Sequence, residues 1–195
     1  MNISVIGAGY VGLITGIGFA KLNHQVSIVD LNDDLIKNLN ENRPPFYEPE
    51  LVDYLNDSNI RNNLFFSTSY QKSINENTDI VFVCVQTPTD PDTGKTKTDY
   101  ISSVLTELKK IESFNFIICI KSTIKATLVE KISNEIDLDY KKIIFNPEFL
   151  REGSAFYDFF NPDRIVIGGS DQKGLNQCTE LYESFDCEKI ITDSN

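Results

Sequence analysis

Gly7-Ala8-Gly9-Tyr10-Val11-Gly12 follows a short apolar run, Ile3 to Ile6, and leads into a helix-compatible run from Leu13 to Leu22. The pattern is G-x-G-x-x-G between a strand and a helix, the context a dinucleotide-binding fingerprint requires. Gly7 permits the tight turn out of the strand. Gly9 lets the backbone approach a pyrophosphate with no Cβ in the way, and Gly12 lets the helix pack close to the strand. The helix N-terminus then offers unpaired N–H groups and a partial positive charge to the phosphates. All six residues, with Ala8, Tyr10 and Val11 between the glycines, are candidate cofactor contacts.

The next apolar run, Val26 to Val29, ends in Asp30, which follows Gly12 by 18 residues, against about 20 in the fingerprint. A carboxylate there accepts hydrogen bonds from the adenosine ribose hydroxyls and repels the extra phosphate of NADP, so the expected cofactor is NAD. A helix cap is the competing role for Asp30, but Asn32 is an equally good cap, which leaves Asp30 for the ribose.

Beyond this turn, apolar runs recur at Ile80 to Val85, Phe116 to Ile120, Ile143 to Phe145 and Ile165 to Ile167. They are continuous rather than alternating, which fits strands covered on both faces. Between them Ile101, Val104, Leu105, Leu108 and Ile111 fall at helical spacing, as do Leu128, Ile132 and Ile136, and then Cys178, Leu181, Tyr182 and Phe185. This β-α alternation predicts an α/β fold with a doubly wound, mostly parallel sheet of Rossmann-like type. The expected organisation is one NAD-binding domain over 1–195, a Rossmann core to about residue 145 and a βα extension over about 146–195. The ending at Ile191-Thr192-Asp193-Ser194-Asn195, directly after a candidate strand, reads as a cut between elements.

In an open α/β sheet, ligands bind outside the carboxyl ends of the strands. Three segments therefore carry candidate function. Val85-Gln86-Thr87-Pro88-Thr89 either lines the nicotinamide half of the cofactor, through Val85, Thr87, Pro88 and Thr89, or is an ordinary loop. Lys121-Ser122-Thr123-Ile124 offers a Ser122-Thr123 pair that either bonds a ribose, a phosphate or a water, or caps a helix starting near Lys125. Asn146-Pro147-Glu148-Phe149-Leu150-Arg151-Glu152-Gly153 sets two carboxylates and an arginine just past a strand. If helical, this turn puts Glu148 and Glu152 on one face, and Glu148 is a candidate general base or water positioner. A solvated turn with a Glu148–Arg151 ion pair is the alternative.

The chain has 195 residues, 41% hydrophobic and 24% charged, as in ordinary globular proteins. Its net charge of −11 argues against nucleic acid and anionic membranes as partners. No run approaches a membrane span and no signal segment precedes the first strand, so a cytoplasmic location with reduced thiols is expected. The four cysteines, Cys84, Cys119, Cys178 and Cys187, form no C-x-x-C pair, and with His24 the only histidine no metal site is expected.

Taken together, the glycine turn, Tyr47-Glu48-Pro49, Thr87-Pro88-Thr89, Ser122-Thr123, the string from Asn146 to Gly153, and Pro162-Asp163-Arg164-Ile165-Val166-Ile167-Gly168 stand in order along the chain. In that order they resemble the N-terminal domain of the UDP-glucose/GDP-mannose dehydrogenase family over essentially the whole length. The string from Asn146 followed by that from Pro162 looks most like the UDP-glucose 6-dehydrogenase branch.

The resemblance implies oxidation of a sugar C6 alcohol to a carboxylate with two NAD. A cysteine captures the intermediate aldehyde, and water releases the resulting thioester. It implies that Glu148 activates or positions that water and that Thr123 helps hold it while contacting the cofactor. It further implies that Glu152 lies near the nicotinamide ribose and that Glu148, Phe149, Leu150, Arg151 and Glu152 form the strip facing a nucleotide sugar, with UDP-glucose favoured. The family's nucleophilic cysteine and catalytic lysine lie beyond residue 195, so the chain is expected not to turn over alone, and the full-length protein is expected to be a homodimer or larger. Most members carry Lys or Arg five residues after the ribose-binding aspartate, where this chain has Leu35.

Overall fold

The structure, a computed structural model, describes residues 1–111 and 115–193; Ser194 and Asn195, in the terminal stretch singled out above, lie outside the described residues. The strands are β1 (Asn2–Ile6), β2 (Gln25–Val29), β3 (Leu64–Ser67), β4 (Ile80–Val83), β5 (Ile117–Ile120), β6 (Ile143–Phe145), β7 (Arg164–Gly168) and β8 (Glu188–Thr192). They form a sheet in the order β3-β2-β1-β4-β5-β6-β7-β8. Every pairing is parallel except β6 with β7, which meet antiparallel at Phe145 and Gly168. The sheet is the doubly wound, mostly parallel one that the β-α alternation predicts.

The helices are α1 (Tyr10–Lys21), α2 (Asp33–Asn40), α3 (Leu51–Asn56), α4 (Ser58–Arg61), α5 (Tyr70–Ser73), α6 (Asp99–Lys110), α7 (Ala126–Glu135), α8 (Ala155–Phe160) and α9 (Gln172–Leu181). They divide between the two faces. Leu13, Ile14, Ile17 and Phe19 of α1 pack with Leu51, Leu55, Phe156, Phe159 and Cys178 over Ile3, Val5, Phe82 and Cys119. On the other face Ile101, Val104, Leu105 and Leu108 of α6, with Val129 and Ile132 of α7, cover Ile6, Val81, Val83, Ile118 and Ile120. Successive strand residues therefore point into different apolar layers, which is why the strands read as continuous apolar runs.

α1 is buried almost all round, from Gly12 to Ala20. Phe19, in its last turn, stacks on Phe82 at 5.5 Å between ring centroids and meets Phe159 edge-on at 5.2 Å. One helix thus follows the glycine turn at its start and packs against Phe159 of α8 near its end.

Several boundaries differ from the sequence reading. β4 stops at Val83 rather than Val85, and β5 begins at Ile117 rather than Phe116. α9 ends at Leu181, so Tyr182 and Phe185 pack from the turn that follows it. The edge strand β3 escaped the pattern because its run, Leu64-Phe65-Phe66-Ser67, is four residues long.

Candidate functional site

β1 has β2 on one side and β4 on the other, and the chain leaves it in opposite directions across the sheet. This is the topological switch point, where the carboxyl ends of β1 and β4 open a crevice. Gly7 stands at its lip with φ of +100°, and a Cβ there would lie 2.7 Å from the Cys84 carbonyl oxygen. A Cβ on Gly12 would lie 1.8 Å from the Gly7 carbonyl oxygen. The fold itself therefore demands these two glycines.

Gly9 is different. Its backbone is extended, with φ of −74°, and a Cβ there would meet nothing within 4 Å. Packing does not require glycine at this position, whereas a pyrophosphate drawn against the backbone does. Gly9 is also the N-cap of α1, which has no side-chain cap and no acidic residue in its first turn. Its leading N–H groups are left for an anion.

Asp30, just past β2, closes the other wall. One carboxylate oxygen accepts from Ala8 N–H at 2.8 Å, the other from Asn32 N–H at 3.0 Å. Each oxygen keeps acceptor capacity for a ribose hydroxyl. Asn32, not Asp30, caps α2, accepting from Leu35 N–H at 3.0 Å. The residues present therefore fit the adenosine and pyrophosphate of a dinucleotide. Leu35, noted above as a departure from the family pattern, is partly buried and packs against the core.

The loops after β4 and β5 are stitched together. Ser122 Oγ lies 2.7 Å from the Val85 carbonyl and 3.3 Å from that of Val83, and Thr87 Oγ1 donates to the Thr123 carbonyl at 2.9 Å. Neither Ser122 nor Thr123 caps the next helix: α7 starts at Ala126 with Lys125 as an N-cap that makes no side-chain bond. The Thr123 side chain is exposed. Pro88 and Thr89 belong to a small hairpin, in which the Pro88 carbonyl accepts from Lys97 N–H at 2.8 Å and Thr89 bridges Thr96.

The segment after β6 is not helical, so Glu148 and Glu152 share no helix face. Glu148 turns back on its own strip, its Oε2 accepting from Leu150 N–H at 2.6 Å, while Glu152 is exposed. Arg151 does not make the ion pair with Glu148 that the sequence offered as an alternative. It forks instead onto Asp158, with Nε and Nη2 at 3.0 and 2.6 Å and its N–H at 2.9 Å. Asp158 lies on α8, within reach of three donors on one residue, and that geometry wins. The Arg151 guanidinium holds the Asp158 carboxyl below the usual carboxylate range.

At the start of the strip, Asn146 is buried and held from several sides. Its N–H donates to Ile120 O at 2.9 Å, its Nδ2 to Val166 O at 2.8 Å, and its Oδ1 accepts from Tyr182 at 2.6 Å and Lys121 Nζ at 3.0 Å. Lys121 and Glu148 line the same cavity of about 480 Å³, together with Arg151, Asp158 and Arg164. Thr123 is not part of that lining. It and Glu148 stand at the carboxyl edge of neighbouring strands, β5 and β6.

Glu48 is the residue that sequence reasoning missed as a functional candidate. It is 3% exposed. Its Oε2 accepts from Gly153 N–H at 2.8 Å and lies 3.0 Å from the Tyr10 hydroxyl, and its Oε1 accepts from Ala155 N–H at 2.7 Å. That hydroxyl is also 3.0 Å from the Arg151 carbonyl. Burial, followed by the Glu48 contact, pushes the Tyr10 phenol well up. The signal in the sequence was its place in the Tyr47-Glu48-Pro49 string, to which no role was attached.

Burial pushes the Cys84 thiol up to about 12 and that of Cys119 well above its ordinary value, so neither is an activated nucleophile. No group of three or more His, Cys, Asp or Glu among the described residues could hold a metal ion. No helix among them is long and apolar enough to cross a membrane.

Known proteins agree with this geometry. The sequence model of the UDP-glucose/GDP-mannose dehydrogenase family, NAD binding domain, matches residues 1–186. The UDP-glucose 6-dehydrogenase YwqF of Bacillus subtilis is 34% identical over 201 residues, covering 99% of this chain and 44% of that protein. A UDP-glucose dehydrogenase structure from Pyrobaculum islandicum superposes with a TM-score of 0.87 at 33% identity, over 98% of this chain and 46% of the other. A GDP-mannose dehydrogenase from Pseudomonas aeruginosa superposes with 0.86 at 27% identity, over 100% and 47%. The chain thus spans under half the length of these relatives. With its glycine turn, Asp30 and the strip from Asn146 set along one sheet edge, the chain belongs to the UDP-glucose/GDP-mannose dehydrogenase family, as its NAD-binding domain.

Proposed function

We propose that this chain is the cofactor half of an enzyme that oxidises the C6 alcohol of UDP-glucose to the carboxylate of UDP-glucuronate. The observation that carries the reading is a juxtaposition. The turn that fits a dinucleotide and the strip that would face a sugar meet directly, through the Tyr10 hydroxyl and the Arg151 carbonyl.

NAD supplies hydride acceptance, two equivalents for the four-electron change. In this reading Gly7 to Gly12 hold the pyrophosphate and Asp30 the adenosine ribose. Val85, Thr87, Pro88, Thr89, Ser122, Thr123 and Glu152 border the nicotinamide half. Phe149 to Arg151 present backbone to the sugar. Glu148 and Thr123 position the water that cleaves a thioester formed on a cysteine outside this chain. The Glu148 carboxylate, at the cavity wall and held by Leu150 N–H, suits that task. The protein as a whole would act as a homodimer or larger assembly in the cytoplasm.

A second substrate reading, GDP-mannose, draws on the almost equal superposition of the GDP-mannose dehydrogenase; a UDP-N-acetylhexosamine is the third. Comparing kcat/KM for the three classes on the whole natural polypeptide tests this. UDP-glucose is expected to lead by at least about tenfold, and a lead by either rival overturns the substrate assignment. A Glu148→Gln variant should then accumulate the thioester, with turnover down about 100-fold. Turnover at the wild-type level would remove Glu148 from the hydrolytic role.

A further inference from the structure

The segment Phe46 to Asn56 lies outside the glycine turn and the strip after β6 in sequence, yet it places a buried carboxylate between them. Glu48 reaches the strip through Gly153 and Ala155 N–H and the cofactor turn through the Tyr10 hydroxyl. The Tyr10 ring is itself held, against Phe46 at 5.1 Å between centroids. Glu48 is fixed from behind: its carbonyl accepts from Leu51 N–H at 3.2 Å, and Leu51 and Leu55 of α3 are fully buried. Tyr54 of α3 meets Phe156 of α8 edge-on at 4.8 Å. Moving the strip around residue 153 therefore moves two donors to one carboxylate. Through that carboxylate it moves the hydroxyl of Tyr10, the residue that follows Gly9 in the turn.

We propose that Glu48 and the Tyr10 hydroxyl are positioning residues that couple cofactor binding at the glycine turn to nucleotide-sugar binding at the strip from Phe149 to Arg151, which Gly153 and Ala155 follow. This rests on the function proposed above. Two features single out the pair. A carboxylate buried to this degree is costly unless every bond is made, and here one donor comes from the glycine turn and two from residues just past the strip. The Tyr10 hydroxyl has one proton and two acceptors, the Glu48 carboxylate and the Arg151 carbonyl, at the same 3.0 Å. It can therefore favour one or the other as the strip shifts, which is the two-arrangement element that linkage between sites requires.

The test is a linkage measurement on the whole natural polypeptide. NADH, which permits no turnover, is titrated by calorimetry with and without whichever of UDP-glucose, GDP-mannose or UDP-N-acetylmannosamine the protein binds. The wild type is expected to show at least about a fivefold change in NADH affinity on saturation with the sugar nucleotide. Tyr10→Phe, which keeps the ring and the backbone, should bring that ratio close to one, whatever it does to the affinity for NADH alone. Glu48→Gln should do the same where it folds. A purely structural role would lower thermal stability and leave the ratio unchanged. A wild-type ratio of one, or a Tyr10→Phe ratio equal to the wild type, overturns the coupling while leaving the functional reading intact. A wild type that binds NADH but none of the sugar nucleotides overturns that reading and the coupling with it.

Discussion

The cofactor turn and the strip after β6 occupy the same sheet edge but are specified in opposite ways. The turn is written largely in its own six residues: Gly12 is required by the Gly7 carbonyl, and Gly7 by the backbone just past β4. The strip is shaped from a distance. Asn146 is held by Lys121 and Tyr182, Arg151 by Asp158, and Gly153 and Ala155 by a carboxylate more than a hundred residues earlier. A motif whose constraints are local can be read from spacing. A motif whose constraints are tertiary shows only as a run of charged and polar residues.

The largest effect should come from a pair of identical substitutions within the turn. Gly12→Ala places a Cβ against the Gly7 carbonyl, so it should cost about 3 kcal/mol or more of folding stability, read by denaturant melts. Gly9→Ala meets open space. Its stability should change by no more than about 1 kcal/mol, while NAD affinity falls at least about tenfold. Equal stability losses for the two would erase the distinction between a fold-required and a ligand-required glycine.

A smaller effect is expected in the strip. Asp158→Asn removes the fork on Arg151 and should lower the thermal midpoint only slightly, since Arg151 is exposed and its charge is screened by solvent. The pH sign follows from the depressed carboxyl of Asp158. Its contribution is complete above the ordinary aspartate value of about 3.9 and is lost as pH falls through the lower folded value. The gap between wild type and variant should therefore close in acid, and a gap that widened there would contradict the assignment.

The smallest effect should be favourable. Thr15 on α1 is fully buried, and its hydroxyl has no partner among the described residues. Thr15→Val keeps the shape and should raise stability by about 1 kcal/mol; a loss would mean that the hydroxyl is satisfied by a water in the adjoining cavity.

Much of the fold was legible because each strand sends alternate residues into two apolar layers, leaving continuous runs such as Ile117 to Ile120. The short edge strand β3 was not, because four residues carry too little pattern. At the site, Asp30 could be read beside Asn32 because both are local to one turn, and Asn32 does cap α2. The ion pair of Arg151 could not. Its partner Asp158 is one of several acids nearby, and only the placement of α8 selects it. Glu48 was visible as part of a Tyr-Glu-Pro string, but its burial depends on where α8 ends up.

The turn from Gly7 to Gly12 and the Asp30 wall should together form a site selective for NAD. Calorimetric titration of the whole natural polypeptide with NAD and, separately, with NADP decides the matter. Saturable NAD binding is expected, with NADP at least about tenfold weaker because Asp30 repels the added phosphate. Equal affinity for the two, or binding of neither, would contradict the assignment of this site.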